Sequence, residues 1–139
     1  MDLSSALDWA SRHKNGVLIT IRADGRPQSS DIVYAVDGDI VRISVTDGRA
    51  KTRNLRRDPR AVLHLTDPAS WSYLSFDGTV ELTPVAAAPD DPTVDELVDL
   101  FRAVSGDDHS DWDEYRRAMV DDGRLVIRFR PTSVTGQTN

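Results

Sequence analysis

The chain of 139 residues contains no cysteine. Disulfides, thiolate metal centres and cysteine nucleophiles are therefore excluded. No apolar run approaches the roughly 18 residues of a membrane span. The first residues, Met1-Asp2-Leu3-Ser4-Ser5, lack the basic and apolar regions of a signal peptide. A cytoplasmic protein with no membrane partner is expected. Glycine-rich phosphate loops are also missing: there is no Gly-x-Gly-x-x-Gly and no P-loop. No serine sits in a Gly-x-Ser-x-Gly setting. Histidine is scarce and scattered, at His13, His64 and His109. His64, between Leu63 and Leu65, reads as a strand residue rather than a base. Overall basic charge is absent too. The net charge is −6 and the isoelectric point is near 4.9, which speaks against a general nucleic-acid binder.

What remains is the composition of one soluble globular domain, with 39% hydrophobic and 29% charged residues. One stretch departs from it. Arg49-Ala50-Lys51-Thr52-Arg53-Asn54-Leu55-Arg56-Arg57-Asp58-Pro59-Arg60 holds six cations and one acid, a local charge of +5. The rest of the chain is left at −11. A cationic island on an acidic protein concentrates field where an anion binds, although a solvated Arg-rich helix has the same composition.

The pattern along the chain predicts a helix over 3–14, with Leu3, Ala6, Leu7 and Ala10 on one face and Asn15-Gly16 as its stop. Trp9, near the edge of that stripe, reads as packing. Val17–Arg22, Gln28–Val36 and Asp39–Thr46 read as three antiparallel strands joined by turns at Ala23-Asp24-Gly25 and Asp37-Gly38. Asp47-Gly48 breaks the alternation. Lys51–Arg57 suits a short helix, closed at Asp58 because the residue before Pro59 is pushed out of the α region. Its N-terminus, at Arg49-Ala50-Lys51, adds unpaired backbone N–H groups to the side-chain charge. Ala61–Thr66 is a fourth strand. Trp71 to about Thr83 is a fifth, bent or bulged at Gly78. Two capping boxes, Thr93 with Glu96 and Ser110 with Asp113, open two helices. Leu125, Ile127 and Phe129 alternate with Arg124, Arg128 and Arg130 in a last strand that Pro131 stops. The tail over 131–139 is expected to be loose. The hairpins, with no βαβ rhythm, imply an antiparallel barrel with helices at its edge, mainly β with an α+β order.

Other constellations are weaker. His109, Asp111, Asp113 and Glu114 look like metal ligands on paper. Asp111 and Asp113 point apart at a helix start, where acids are favoured anyway, so no metal is expected. Nucleic-acid binding by the basic helix would want exposed aromatics beside it, and only Trp71 and Tyr73 qualify.

The residues also carry a resemblance. Gly25-Arg26-Pro27-Gln28, then Asp37-Gly38 and a strand, then Gly48 followed by the whole basic stretch, resemble the deazaflavin-dependent oxidoreductases of the pyridoxamine 5'-phosphate oxidase-like class. These are split β-barrel flavin and deazaflavin proteins common in actinobacteria. Trp71-Ser72-Tyr73, Pro89-Asp90-Asp91 and His109-Ser110-Asp111-Trp112 through Met119 resemble a mycobacterial-type branch. The resemblance spans nearly the whole chain.

It implies a six-stranded split β-barrel over 1–139 that forms a homodimer, with two cofactor clefts at the subunit interface. It implies coenzyme F420, an 8-hydroxy-5-deazaflavin with a phospholactate and polyglutamate tail, with FMN as the alternative. Arg49, Lys51 and Asn54 would then meet the cofactor phosphate, with Ala50 between them. Gln28 and Ser29 would lie along the ring and its linker. Ser44 would contact the phosphate or ribityl side, and Trp71 and Tyr73 would close the pocket. Arg53, Arg56 and Arg57 would reach either the anionic tail or solvent. A +5 segment suits a polyanionic tail, because Arg gives forked contacts and Lys a point charge. True pyridoxamine-phosphate oxidases are longer and use a different basic phosphate motif, which speaks against pyridoxal chemistry. The implied reaction passes a hydride from C5 of the reduced deazaflavin to an electron-poor alkene or imine, a small-molecule acceptor. Its wall would be built from Tyr34, Trp71, Tyr73 and C-terminal segments, and no residue stands out as a proton donor. A non-catalytic cofactor carrier is the rival from another class.

Overall fold

The computed structural model describes residues 1–139. Its elements are α1 (Leu3–Ala10), β1 (Asn15–Ile21), β2 (Pro27–Asp37), β3 (Ile40–Thr46), α2 (Ala50–Arg57), β4 (Arg60–Asp67), β5 (Ser72–Leu82), α3 (Pro92–Ser105), α4 (Trp112–Asp121) and β6 (Arg124–Gln137). The expected order of helix, three strands, basic helix, two strands, two helices and strand is the observed one. All six strands pair antiparallel and close a barrel in the order β1-β2-β3-β6-β5-β4. No helix is long and apolar enough to cross a membrane.

Alternation along each strand fills the barrel. Leu18, Tyr34, Ile43, Leu63, Leu74, Phe76, Leu125, Ile127 and Phe129 are at most 1% exposed and form its interior. Burying one such side chain is worth about 1.5–3 kcal/mol. Tyr34 belongs to this interior rather than to any ligand wall, and its hydroxyl donates to the Ala10 carbonyl at 2.8 Å. That bond ties α1 to the barrel and satisfies a polar group that burial would otherwise penalise. Trp9 is nearly buried and stacks on the His13 ring at 4.0 Å. α1 ends with its apolar stripe at Ala10, short of the expected 14, and Asn15 and Gly16 are taken into β1, opposite Val33 and Ile32.

The last strand departs most from expectation. Pro131 does not stop it, and 131–139 is not a loose tail: β6 runs on to Gln137, pairing β5 as far as Tyr73. The ladder skips one residue, since Asp77 faces Ser133 and Gly78 faces Pro131. The extra residue is Thr132, so the bulge expected at Gly78 lies on the opposite strand. A bulge is where a ladder tolerates proline's missing donor. Gly78 is required there, because a Cβ would stand 2.4 Å from the Arg130 carbonyl oxygen and 2.8 Å from the Phe129 ring.

A second, smaller core lies outside the barrel. α3 and α4 pack Val94, Leu97, Val98, Leu100 and Met119 against Ala35 of β2 and Val126 of β6. The outward face of β3 and β6 beneath them carries Arg42, Ser44 and Thr46 opposite Arg128, Val126 and Arg124. Directly paired residues share a face, so this strip carries three arginines and two hydroxyls around one apolar residue, Val126.

Candidate functional site

α2 begins where β3 ends. Arg49 is its N-cap, in extended conformation and with no side-chain cap bond. The first amides of the helix, from Ala50 onward, thus lack intrahelical acceptors. Thr52, fully buried, fixes the turn by donating to the Thr46 carbonyl at 2.9 Å, and Leu55 anchors the helix to the core. Asp58 takes extended angles before Pro59 and ends the helix as the sequence indicates.

The basic stretch divides into two functional halves. Arg56 pairs with Asp47, and Arg60 with Asp58 at 2.8 Å. Arg57 donates to the Ile21 carbonyl and to Asn54 Oδ1, both at 3.0 Å. Arg53 donates to the Gly48 carbonyl at 2.6 Å. Arg49 and Lys51 have no acid partner, and both line a cavity of about 550 Å³. Desolvation, then the charges of Arg49 and Arg124, hold the Lys51 ammonium below the usual lysine range. Converging cations without counter-ions form a site whose own charges repel until an anion arrives.

The cavity has two kinds of wall. Arg49, Lys51, Ser44 and Arg124 make a polar, cationic end. Leu100, Phe101, Val104, Tyr115 and Met119 from α3 and α4 make an apolar side. Asp31 and Val33 of β2 stand exposed at the rim. Behind the apolar side, Phe101, His109, Trp112 and Tyr115 form a ring cluster with centroids 5.2–5.8 Å apart. Arg102 lies over the Trp112 ring at 4.8 Å. Such contacts make the α3–α4 wall rigid. Asp111 is the N-cap of α4 and accepts from the Glu114 amide, so its carboxylate is already committed to the helix.

The expected site residues therefore separate. Ser44, Arg49 and Lys51 meet in the cavity, with Ala50 half-buried at the first position of α2. Asn54 does not line it. Its amide donates to Thr20 Oγ1 and to Gln28 Oε1, each at 3.1 Å, beneath α2. Gln28 is thus held through Asn54, and Ser29 is exposed one residue further along β2. Trp71 and Tyr73 stand elsewhere, on the turn into β5 and its first residues. Trp71 is 83% exposed with φ +56°, and Tyr73 is 43% exposed. A bulky side chain in that backbone region is strained. Arg124 and the α3–α4 wall were not legible from sequence spacing. Arg124 has the same alternation as Arg128 and Arg130, and only the pairing of β6 with β3 sets it opposite Thr46.

This architecture has relatives. A solved F420 reductase is 28% identical over 92% of this chain and 94% of its own, with a TM-score of 0.68. A conserved hypothetical protein from Mycobacterium tuberculosis, 22% identical, covers 99% of this chain and 85% of its own with a TM-score of 0.78. An FAD-binding protein from Mesorhizobium loti, 16% identical, covers 98% and 92% with a TM-score of 0.69. The last two likenesses bear on the fold alone. The pyridoxamine 5'-phosphate oxidase family matches residues 5–138. With the antiparallel barrel described above, that match over almost its whole length means the chain belongs to the pyridoxamine 5'-phosphate oxidase family.

Proposed function

We propose that the protein is an oxidoreductase that binds coenzyme F420, seating the cofactor phosphate on Arg49, Lys51 and the first amides of α2. The observation that carries this reading is the division within the basic stretch. Four of its arginines are satisfied inside the protein, and the two first-turn cations face a cavity without acid partners. The donor set fits a phosphate: a guanidinium fork, an ammonium, an uncapped helix start and the Ser44 hydroxyl. The F420 reductase among the relatives agrees with it.

When bound, the reduced deazaflavin supplies a hydride, two electrons at once, to an electron-poor acceptor. The chain's own part is binding and orientation. Arg49 and Lys51 fix the charged end, and Asn54 holds the Gln28 amide in one rotamer beside α2. The apolar α3–α4 side keeps water from the acceptor. The Tyr115 hydroxyl already donates to the Leu97 carbonyl at 3.1 Å. It is not free to serve as an acid, and solvent supplies the proton in this reading. The chain works as a homodimer: exposed Val33 at the cavity rim and exposed Trp71 and Tyr73 are the surfaces that a second copy would cover. The partner's Trp71 and Tyr73 would then close the cavity.

Titration with F420 and with FMN, followed by tryptophan fluorescence, tests the reading. Micromolar F420 binding is expected, weakened at least tenfold in Lys51→Ala. Micromolar FMN binding with no F420 binding would overturn it in favour of a flavin enzyme. Oxidation of reduced F420 by an enone panel separates an enzyme from a carrier, and sedimentation velocity tests the dimer.

A further inference from the structure

Arg124 is the cation of the cavity that the phosphate reading leaves unused. It stands at the start of β6, opposite Thr46, and comes from a different element than Arg49 and Lys51. Its guanidinium is poorly satisfied by the protein. Nη1 donates to Ser44 Oγ at 3.4 Å, a long contact. Nε is shut off from solvent and has no hydrogen-bond partner. The nearest carboxylate, Asp122, lies 4.0 Å away, beyond hydrogen-bond reach. Nη2 has no protein partner. An arginine kept half-buried with so little to bond is costly unless a ligand meets it.

Its neighbours say what kind of ligand. Burial, then the charges of Arg49 and Arg124, hold the Lys51 pKa down, and burial pushes the pKa of the Tyr115 hydroxyl on α4 up against the smaller opposing charge of Arg124, so Arg124 lies near both. It therefore stands between the cationic end and the apolar side. A compact tetrahedral anion suits the helix start, with its amides and ammonium. A planar fork in a cavity also lined by Phe101, Val104 and Met119 suits a planar anion attached to an apolar body.

We infer that Arg124 is a second anion seat in the cavity, receiving a carboxylate whose apolar body lies along the α3–α4 wall. This rests on the F420 reading for the first seat only. The acceptor supplies it, as a largely apolar, unsaturated carboxylic acid, because a polyglutamate tail has no apolar body to lie along that wall.

The test uses trans-cinnamate, methyl cinnamate, inorganic phosphate and F420 on the intact protein and on Arg124→Gln and Arg124→Lys. Binding is read from the arginine Nε–Hε NMR signals and from tryptophan fluorescence, without turnover. Cinnamate should shift the Arg124 signal and bind at least tenfold more weakly to Arg124→Gln. The ester and phosphate are unchanged, and Arg124→Lys falls between. A tenfold loss of F420 affinity in Arg124→Gln, with cinnamate and inorganic phosphate unchanged, would give Arg124 to the cofactor tail and overturn the inference. Equal losses of phosphate and F420 would put Arg124 in the phosphate seat and overturn the inference. Equal losses of cinnamate and its ester would make the role structural. No binding of cinnamate to the intact protein also overturns it. The cinnamate and phosphate arms need no cofactor, so failure of F420 alone sinks the cofactor reading and leaves this one decided. Should Arg124→Gln not fold, Arg124→Lys, which keeps the charge and loses the fork, carries the same comparison.

Discussion

The outward strip of β3 and β6 holds arginines at both ends, treated in opposite ways. At the α3 end, Arg128 bonds Glu96 through Nε and Nη2 at 3.1 and 2.5 Å and reaches Glu81 through Nη1 at 3.0 Å. Arg42 meets Asp37 at 3.2 Å and approaches Glu96 at 4.0 Å. At the α2 end, Arg49 and Lys51 have no acid partner, and Arg124 has only the distant Asp122. The same residue type on the same strands is thus paired with acids in one place and turned to a cavity in the other. The difference lies in the acids, not in the cations. Glu96 arrives on α3 to bond Arg128 and to approach Arg42, whereas the acids at the cavity end, exposed Asp31 at the rim and Asp122 at 4.0 Å from Arg124, form no hydrogen bond with its cations. Matched charge holds a helix to a sheet, whereas unmatched charge costs stability and leaves a field pointing into the cavity.

Removing the acid of the matched end gives the largest effect. Glu96→Gln leaves Arg42 and Arg128 underpaired beneath α3, and is expected to cost about 2 kcal/mol in urea unfolding. F420 affinity should change little. A stability loss below ~0.5 kcal/mol would mean that the two ends do not differ. Lys51→Ala reverses the pattern: at least a tenfold loss of F420 affinity, about 1.4 kcal/mol, with little or no loss of stability. Inorganic phosphate at ten times its dissociation constant should stabilise the intact protein by roughly 1.4 kcal/mol. Glu96→Gln should keep that gain and Lys51→Ala should lose it. Titration sharpens the contrast further. The folded Lys51 pKa lies below its ordinary 10.5, so the unfolded chain holds more protons in the window just under 10.5. Stability relative to Lys51→Gln should therefore rise as pH climbs through that window, and the deficit should be fullest below it. The smallest effect belongs to the satisfied half of the basic stretch. Arg60→Gln, which removes an exposed, solvent-screened pair with Asp58, should leave the urea midpoint essentially unchanged and alter F420 affinity by less than about twofold. A larger loss of affinity would return Arg60 to the tail.

The order of elements was legible because strand alternation and the Gly turns act locally; the capping boxes placed α3 and α4 roughly, but the caps are Asp91 and Asp111 rather than Thr93 and Ser110. So was the first turn of α2, whose charge excess is visible without any contact. What failed to show depends on pairing between distant segments. Pro131 reads as a stop until Gly78 and the Thr132 bulge give it a place in the ladder. Tyr34 reads as a candidate wall until α1 supplies the Ala10 carbonyl inside the fold. The resemblance implies Asn54 as a phosphate ligand, yet the helix aims it at Thr20 and Gln28. Arg124 and Arg128 are alike in sequence, and only the strands and helices around them decide which is neutralised.

β6 hydrogen-bonds to both β3 and β5 and follows every other barrel strand in the chain. Until it is synthesised, the β1–β2–β3 meander and the β4–β5 hairpin each expose an open edge, at β3 and at β5. Leu125, Ile127 and Phe129 arrive with it, so much of the interior waits as well. Closure is then a long-range event that no local segment can anticipate, and folding should be slow for a chain of this size. A ribosome-bound chain lacking β6 presents two unpaired strands, the state most exposed to edge-to-edge association. Arg124 enters the cavity on that same strand, so the cationic end of the cavity is assembled in the step that seals the barrel.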